Sequence, residues 1–123
     1  MAMTEAELKR RTQMFAITCL KMVDTHSRNR ACEVYGKQLI RSSSSVGANY
    51  RAVCAAKSAA DMITKLTIVQ EEADESAYWV ELLVLSGHLS EADAAPILKE
   101  AQELTAIVVA SRLTLKRRPP KPG

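Results

Sequence analysis

Apolar residues recur along most of this chain at intervals of three and four, which is the period of one face of a helix. Four segments carry that pattern, and they predict helices over residues 4–26, 30–57, 59–86 and 91–115. Short polar turns separate them, and an N-cap residue stands before the first, third and fourth. The pattern therefore predicts an all-α fold, an up-down-up-down antiparallel four-helix bundle, followed by a disordered basic tail over residues 116–123.

The second helix contains a stretch, from Arg41 to Tyr50, whose residue types disfavour a helix interior. It holds four consecutive serines, a glycine and an asparagine, all of them weak helix formers. The apolar period nevertheless continues through it, so we predict an unbroken helix with polar side chains such as Ser42 and Asn49 in a packed seam. Buried polar groups need hydrogen-bond partners. At Gly47 we expect a kink or a close contact with a neighbouring helix.

A cluster of carboxylates in the third helix allows two interpretations. Glu71, Glu72 and Glu75 either form a solvated face with helix ion pairs of the Lys57–Asp61 kind, or one or two of them face the second helix. In the second case they would accept hydrogen bonds from Ser42, Asn49 or Arg51 and fix the register of the two helices.

The start of the fourth helix is also open to two interpretations. Ser90 and Asp93 have the spacing of an N-cap, but Pro96 follows six residues after the cap. A proline there removes one hydrogen bond and crowds the preceding turn. Either the helix begins after Ser90 and kinks, or it begins near Ala95 with Pro96 in the first helical position.

Composition supports a single bundle without a membrane segment. Of 123 residues 47% are hydrophobic but only 4% are aromatic, so Ala, Leu, Val, Ile and Met must build the core. No apolar run approaches the roughly 20 residues of a membrane span, and the N-terminal segment does not resemble a signal peptide. Cys19, Cys32 and Cys54 are odd in number and scattered, which indicates reduced core residues of a cytoplasmic protein.

The sequence contains no recognisable catalytic or cofactor-binding pattern. It has no glycine-rich phosphate loop, no zinc-protease motif and no nucleophile elbow. Neither histidine follows a glutamate by three residues, the spacing that di-metal bundles use. We therefore predict a protein that is not an enzyme, with no catalytic residue, no cofactor and no metal.

Two groups of basic residues lie near the ends of the chain. The net charge is +3, and the last eight residues alone carry four cations. They serve either solubility or nucleic-acid phosphates, which such residues bind without sequence preference and with strong salt dependence. The candidate nucleic-acid contacts are Lys9, Arg10, Arg11, Lys116, Arg117, Arg118 and Lys121.

Several strings resemble one bacterial family when they are taken in order. They are Gly36-Lys37-Gln38-Leu39, then Arg41-Ser42-x-x-Ser45-Val46-Gly47-Ala48-Asn49-Tyr50-Arg51-Ala52, Lys57-Ser58, Lys65-Leu66, and Glu71-Glu72-Ala73-Asp74-Glu75-x-x-Tyr78-Trp79-x-Glu81-Leu82-Leu83. Together with Glu100-Ala101-x-Glu103-Leu104 they resemble the four-helix-bundle proteins related to the intervening-sequence proteins of 23S ribosomal RNA. The likeness covers nearly the whole chain.

The resemblance implies an up-down bundle that assembles as a ring, with a homopentamer as the expected form. Some such proteins are encoded within insertions in ribosomal-RNA genes, and a related group serves as the accessory subunit of reverse transcriptases in diversity-generating retroelements. The implied partners are thus a second copy of the chain and RNA or a nucleic-acid enzyme. For most members the molecular function is not established.

Two departures from the family pattern affect these expectations. Ala52-Val53-Cys54 stands where an acidic residue often follows, which removes a partner for Arg51, and Ala60-Asp61-Met62 stands where an aromatic residue is common. The residues that we carry over from the resemblance form a predicted polar seam between the second and third helices, either within one bundle or between subunits. They are Arg41, Ser42, Asn49, Tyr50, Arg51, Glu72, Glu75, Tyr78 and Trp79.

Overall fold

The computed structural model describes residues 3–26 and 29–117, and four long helices account for most of them. Their bounds lie within two residues of those that the hydrophobic pattern predicts. They are α1 (Glu5–His26), α2 (Arg30–Ala55), α3 (Ala59–Leu85) and α4 (Glu91–Lys116). The helix α2 runs without interruption through all four serines.

Each helix begins at a polar side chain that accepts a free backbone N–H group. The Thr4 hydroxyl accepts the Glu7 N–H at 3.1 Å, while the Glu7 carboxylate accepts the Thr4 N–H at 2.8 Å. Asn29, Ser58 and Ser90 each accept the N–H three residues further on, at 2.8, 3.1 and 3.0 Å. These caps satisfy donors that a helix start leaves without a partner.

The cap at Ser90 decides where α4 begins. The helix starts at Glu91 and carries Pro96 in its second turn, so the alternative start near Ala95 is wrong. The ring of Pro96 leaves the Ala92 carbonyl without its usual N–H donor. Pro96 itself is exposed, which leaves that carbonyl close to solvent.

Consecutive helices pack side by side and run in opposite directions. Asn29 at the start of α2 lies beside His88 just after α3, and Ser42 in mid-α2 lies beside Ser76. Arg112 near the end of α4 lies beside Thr67 near the start of α3, whereas Glu91 at the start of α4 lines one furrow with Leu85 at the end of α3. The α2–α3 and α3–α4 pairs have the most extensive contact, and α1–α4 the least. The molecule is thus the predicted antiparallel four-helix bundle.

The core of the bundle is aliphatic, as the composition predicts. Leu39, Val46, Val69 and Val80 are fully buried, and Leu104 is 1% exposed. Among the described residues, no helix combines the length and apolarity that a bilayer crossing needs.

Two glycines of α2 let α1 approach closely. A Cβ atom built on Gly36 would lie 2.7 Å from Val23 Cγ1, and one on Gly47 would lie 3.2 Å from Thr12 Oγ1. The sequence therefore predicted Gly47 correctly as a close contact with a neighbouring helix.

The C-terminal end of α4 differs slightly from the predicted division of the chain. Lys116 is the last residue of the helix and Arg117 caps it, because both continue the hydrogen bonding of the preceding turn. A tail that begins at residue 116 is therefore wrong at its first residue. The rest of the predicted tail, residues 118–123, lies outside the described residues.

Candidate nucleic-acid interface and the polar seam

The centre of the α2–α3 contact is a pair of buried hydroxyl groups. Ser42 Oγ and Ser76 Oγ lie 2.9 Å apart, and both residues are 0% exposed. Each oxygen also lies near a carbonyl of its own helix, Leu39 at 3.3 Å and Glu72 at 2.8 Å. One hydroxyl can donate to the other while the second donates to a carbonyl, so neither of these two hydroxyl groups lacks a partner.

The neighbouring serine, Ser43, lies at the contact between α2 and α1. Ser43 is also 0% exposed; its hydroxyl donates to the Ile40 carbonyl at 3.3 Å and lies close to the Cys19 thiol of α1. Burial raises the pKa of Cys19 to about 12, against a smaller opposite effect of the Ser43 hydrogen bond. The thiol is therefore protonated at neutral pH and unsuited to act as a nucleophile.

At the outer edge of the seam, Arg41 of α2 meets two carboxylates of α3. Its Nη1 lies 3.2 Å from Glu72 Oε2, and its Nη2 contacts Glu75 Oε2. Trp79 Nε1 donates to the same Glu75 oxygen at 2.9 Å, and the Trp79 ring lies 5.8 Å from that of Tyr35. The Arg41 side chain is 49% exposed, so this ion pair is only partly shielded from water.

Two of the three carboxylates thus face α2, but their donor differs from the predicted ones. Glu72 and Glu75 accept from Arg41 rather than from Ser42, Asn49 or Arg51, because Arg41 lies one position before Ser42 at the solvent edge of the seam. Glu71 remains exposed.

Four residues of the predicted seam lie elsewhere. Asn49 donates to the Ser45 carbonyl and hydroxyl of its own helix, at 2.9 and 2.8 Å. Tyr50 is buried, and burial raises its pKa above the usual value. Arg51 is exposed. These three are consecutive, and each step along a helix turns by about 100°, so they point to different surroundings.

Tyr78 is the fourth of these residues. It is 51% exposed and contacts the edge of the Trp79 ring, with centroids 5.2 Å apart. The seam therefore comprises Arg41, Ser42, Glu72, Glu75, Trp79 and Ser76. The predicted seam did not include Ser76.

The helix ion pair of Asp61 also differs from the expected one. Asp61 Oδ1 lies 2.6 Å from Lys65 Nζ on α3, whereas Lys57 lies in the turn before that helix. The spacing of four residues from Lys57 to Asp61 does not bring the side chains together, since the intervening backbone is not helical there.

We find no arrangement for a metal ion in the described part of the chain, where no three His, Cys, Asp or Glu side chains lie close enough together. The two histidines take part in helix-end contacts. His26 Nδ1 lies 2.9 Å from the Met22 carbonyl, and His88 lies 2.9 Å from both Asn29 Nδ2 and Ser86 Oγ.

Charged residues segregate along the long axis of the bundle. We divide each helix at its midpoint and call residues 3–15, 43–71 and 104–117 the basic half, and residues 16–26, 29–42 and 72–103 the acidic half. The basic half holds nine Lys or Arg residues and four acidic ones, and the acidic half five and ten. The cations of the basic half are Lys9, Arg10, Arg11, Arg51, Lys57, Lys65, Arg112, Lys116 and Arg117.

The antiparallel arrangement brings the predicted basic contacts of α1 and α4 to the same end of the bundle. Arg10, Lys116 and Arg117 are exposed there, and Lys9 is partly buried. Arg51 and Lys57, on and just after α2, are exposed at this end as well. Arg118 and Lys121 lie outside the described residues.

Arg11 does not belong with these free cations. Its guanidinium donates to Glu100 at 2.7 and 2.5 Å and to Glu103 at 2.8 Å. The hydrogen bond from Arg11 lowers the pKa of Glu100 below its usual value. The Arg11 guanidinium is therefore held by carboxylates of α4, and its role as a nucleic-acid contact stays a prediction.

The charge segregation was available in the sequence but was overlooked. The net charge of residues 1–115 is close to zero, and that sum hides the difference between the two halves. Counting the charges separately in the two halves of each predicted helix reveals the difference, since antiparallel neighbours place the start of one helix beside the end of the next.

Comparison with known proteins agrees with this architecture. The family model described as 23S rRNA-intervening sequence protein matches residues 4–110. The chain belongs to this family. The resemblance stated above from the strings of α2 and α3 is therefore confirmed.

A solved structure gives further support for the family's fold. It is a protein of unknown function from the S23 ribosomal protein family of Bacteroides thetaiotaomicron, with 29% sequence identity and a TM-score of 0.83. The match covers 90% of this chain and 99% of that one. No curated protein sequence matches this intervening-sequence family member significantly.

Proposed function

We propose that this member of the intervening-sequence family is a non-enzymatic module that binds RNA through its basic half. The observation that carries the proposal is the segregation of charge, which places exposed cations at one end of the bundle and an excess of carboxylates at the other. Such a field attracts a polyanion to one end and repels it from the other. The family's name supports RNA as the polyanion.

The exposed cations set the scale of the salt dependence. Arg10, Arg51, Lys57, Lys116 and Arg117 are exposed and have no ion pair among the described residues. If these cations make about five phosphate contacts, raising the salt concentration from 50 to 200 mM should weaken RNA binding roughly 10²- to 10³-fold. Fluorescence anisotropy with a labelled, structured RNA measures this directly.

A matched pair of variants tests which end binds. Lys57→Glu with Lys116→Glu reverses two charges in the basic half, and we expect it to weaken binding at least tenfold. Lys37→Glu with Lys99→Glu makes the same change at exposed positions of the acidic half and should have little effect. Equal losses in the two variants, or an affinity that does not respond to salt, would contradict the proposal.

A second function, self-assembly of the bundle, is favoured by a different surface. Met14, Ile17 and Leu20 of α1 are 49%, 41% and 45% exposed. They follow one another at helical spacing, with the exposed cation Lys21 at the end of the stripe. An exposed apolar stripe of this kind marks an interaction surface.

The α3–α4 side of the bundle offers a complementary surface. A furrow of about 400 Å³ runs between Leu85, which is 82% exposed, and Leu98. A second furrow of about 170 Å³ lies further along the same two helices. The charged residues along both furrows are Asp74, Glu81 and Glu91. We propose that the α1 stripe of one copy occupies this furrow of the next.

Such a contact joins two different surfaces of the chain, so each copy can insert its α1 stripe into one neighbour and receive the stripe of another in its furrow. A contact of this type forms a ring if the rotation closes, and a homopentamer is the form that the family resemblance implies. A ring would place several basic halves on one particle and raise the avidity for RNA.

Light scattering tests the assembly. We expect a mass that is a multiple of 13.5 kDa, near five times that value for a pentamer. Ile17→Asp should reduce it to a monomer, and Val34→Asp, a change at an exposed valine of α2, should not. A wild-type monomer, or variants that assemble equally well, would contradict self-assembly through α1.

A further inference from the structure

We infer that the basic half recognises the phosphate backbone of double-helical RNA rather than the bases of a single strand. The inference rests on the proposed function and narrows it to one class of RNA. It follows from where the molecule places its aromatic residues in relation to its free cations.

Proteins that bind single strands combine a basic surface with exposed aromatic rings, because unpaired bases stack on those rings. The chain has only one Phe, one Trp and three Tyr. Phe15 and Tyr50 are the two that lie in the basic half, and they are 2% and 8% exposed. Among the described residues, the end that carries the free cations therefore presents no aromatic ring on which a base could stack.

The other three aromatic residues lie together in the acidic half. Tyr35, Tyr78 and Trp79 form one cluster of rings. Trp79 Nε1 is already occupied by the Glu75 carboxylate at 2.9 Å, and Tyr78 stands on α3 between the exposed acidic residues Asp74 and Glu81. A nucleotide that stacked on these rings would bring its phosphate into a field of carboxylates, which repel it.

The cations are also spread over an area that suits a duplex. Arg10 lies on α1, Arg51 and Lys57 on and after α2, and Lys116 and Arg117 at the end of α4. Helices pack about 8–10 Å apart, so these positions are distributed over an end surface about 20 Å wide. Double-stranded RNA is bound mainly through its shape, its phosphates and its 2′-hydroxyl groups. Cations on three separate helices can reach phosphates of both strands.

A direct comparison of two RNA probes tests the inference. The probes are a labelled RNA duplex of about 16 base pairs, the length that known double-stranded RNA-binding domains span, and one of its strands, chosen to have no secondary structure. We expect the wild-type protein to bind the duplex at least tenfold more tightly in 100 mM salt. Equal or tighter binding to the single strand would overturn the inference and leave the proposed function standing. Failure to bind either probe would overturn the proposed function itself.

A variant of the exposed tyrosine gives an independent readout. Tyr78→Ala removes the most exposed aromatic ring of the chain at a position outside the core. We expect it to leave the affinity for both probes unchanged within twofold, while Lys57→Glu with Lys116→Glu weakens duplex binding at least tenfold. A tenfold loss of single-strand binding in Tyr78→Ala would show that bases stack on the acidic half, and would overturn the inference.

Discussion

The α2–α3 seam and the α1–α4 seam hold the bundle together in different ways. Across the first, Ser42 and Ser76 are completely buried and their hydroxyl groups touch. Across the second, Arg11 reaches Glu100 with both side chains about one quarter exposed, and a furrow of about 320 Å³ separates the helices around Pro96.

The difference shows how a segment with poor helix propensity can still be helical. The serines of α2 weaken the isolated helix, but their small size lets α3 approach until the interior is closely packed. Packing thus stabilises α2 where its own residues do not. The α1–α4 seam depends instead on a partly exposed ion network, which contributes little at ordinary salt concentrations.

The largest effect should come from filling the tight seam. Ser42→Leu forces a larger side chain against Ser76, and overpacking of this kind costs about 1–3 kcal/mol. We expect a loss near the upper end of that range, about 3 kcal/mol, in the free energy of unfolding, since the site has no free space. Urea denaturation measures it. Ser44→Leu is the control on the exposed side of α2 and should change stability by less than about 0.5 kcal/mol. Similar midpoints for the two variants would show that the seam is not tightly packed.

An intermediate effect should come from the α1–α2 contact. Gly36→Ala gains about 1 kcal/mol of helix propensity but places a Cβ atom 2.7 Å from Val23 Cγ1. Because valine is stiff, we expect a net loss of about 1 kcal/mol. The double variant with Val23→Ala should relieve the clash. If Gly36→Ala is equally damaging with and without Val23, the close contact does not explain the loss.

The smallest effect should come from the ion network of the α1–α4 seam. Glu100→Gln should reduce stability at pH 7 by less than about 1 kcal/mol, as for other exposed pairs. The hydrogen bond from Arg11 lowers the pKa of Glu100 below its usual 4.5. The stabilisation is therefore present above pH 4.5 and is lost as the pH falls through the lower pKa of the folded state.

Thermal unfolding of wild type and Glu100→Gln between pH 3 and 7 checks that dependence. The two curves should converge at the acidic end of the range. Glu71→Gln, an exposed position without an ion pair among the described residues, should follow the wild type throughout. A difference at Glu100 that stays constant with pH would mean that the ionised carboxylate is not what stabilises the seam.

The fold was predictable from the sequence because its signals are local and repeated. The helical period and the caps at Thr4, Ser58 and Ser90 fix four helices, and short turns leave an antiparallel bundle as the simple arrangement. Even the serine-rich stretch was predictable, since the apolar period continues through it.

The polar seam was predictable only in part, because a side chain's direction depends on the helix rotation to within one residue. Ser42 and Glu72 were correctly placed, whereas Asn49 bonds to its own helix and Arg51 lies on another side of α2. The apolar period defines a helix face only to within about one residue, so it does not distinguish side chains at neighbouring positions. The ion pair of Arg11 joins residues 89 positions apart, and no local pattern in the sequence reports a contact at that distance.

The adjacent serines of α2 have one further consequence, for how the bundle can move. Ser42 contacts Ser76 of α3, while Ser43 lies close to Cys19 of α1. The two adjacent serines therefore fix the rotation of α2 about its own axis. Turning α2 by one residue, about 100°, would bring Arg41 or Ser44 towards positions that now hold fully buried hydroxyls. A partial rotation would separate both hydroxyls from their present surroundings, so we expect α2 to move relative to its neighbours as a rigid body rather than by rolling.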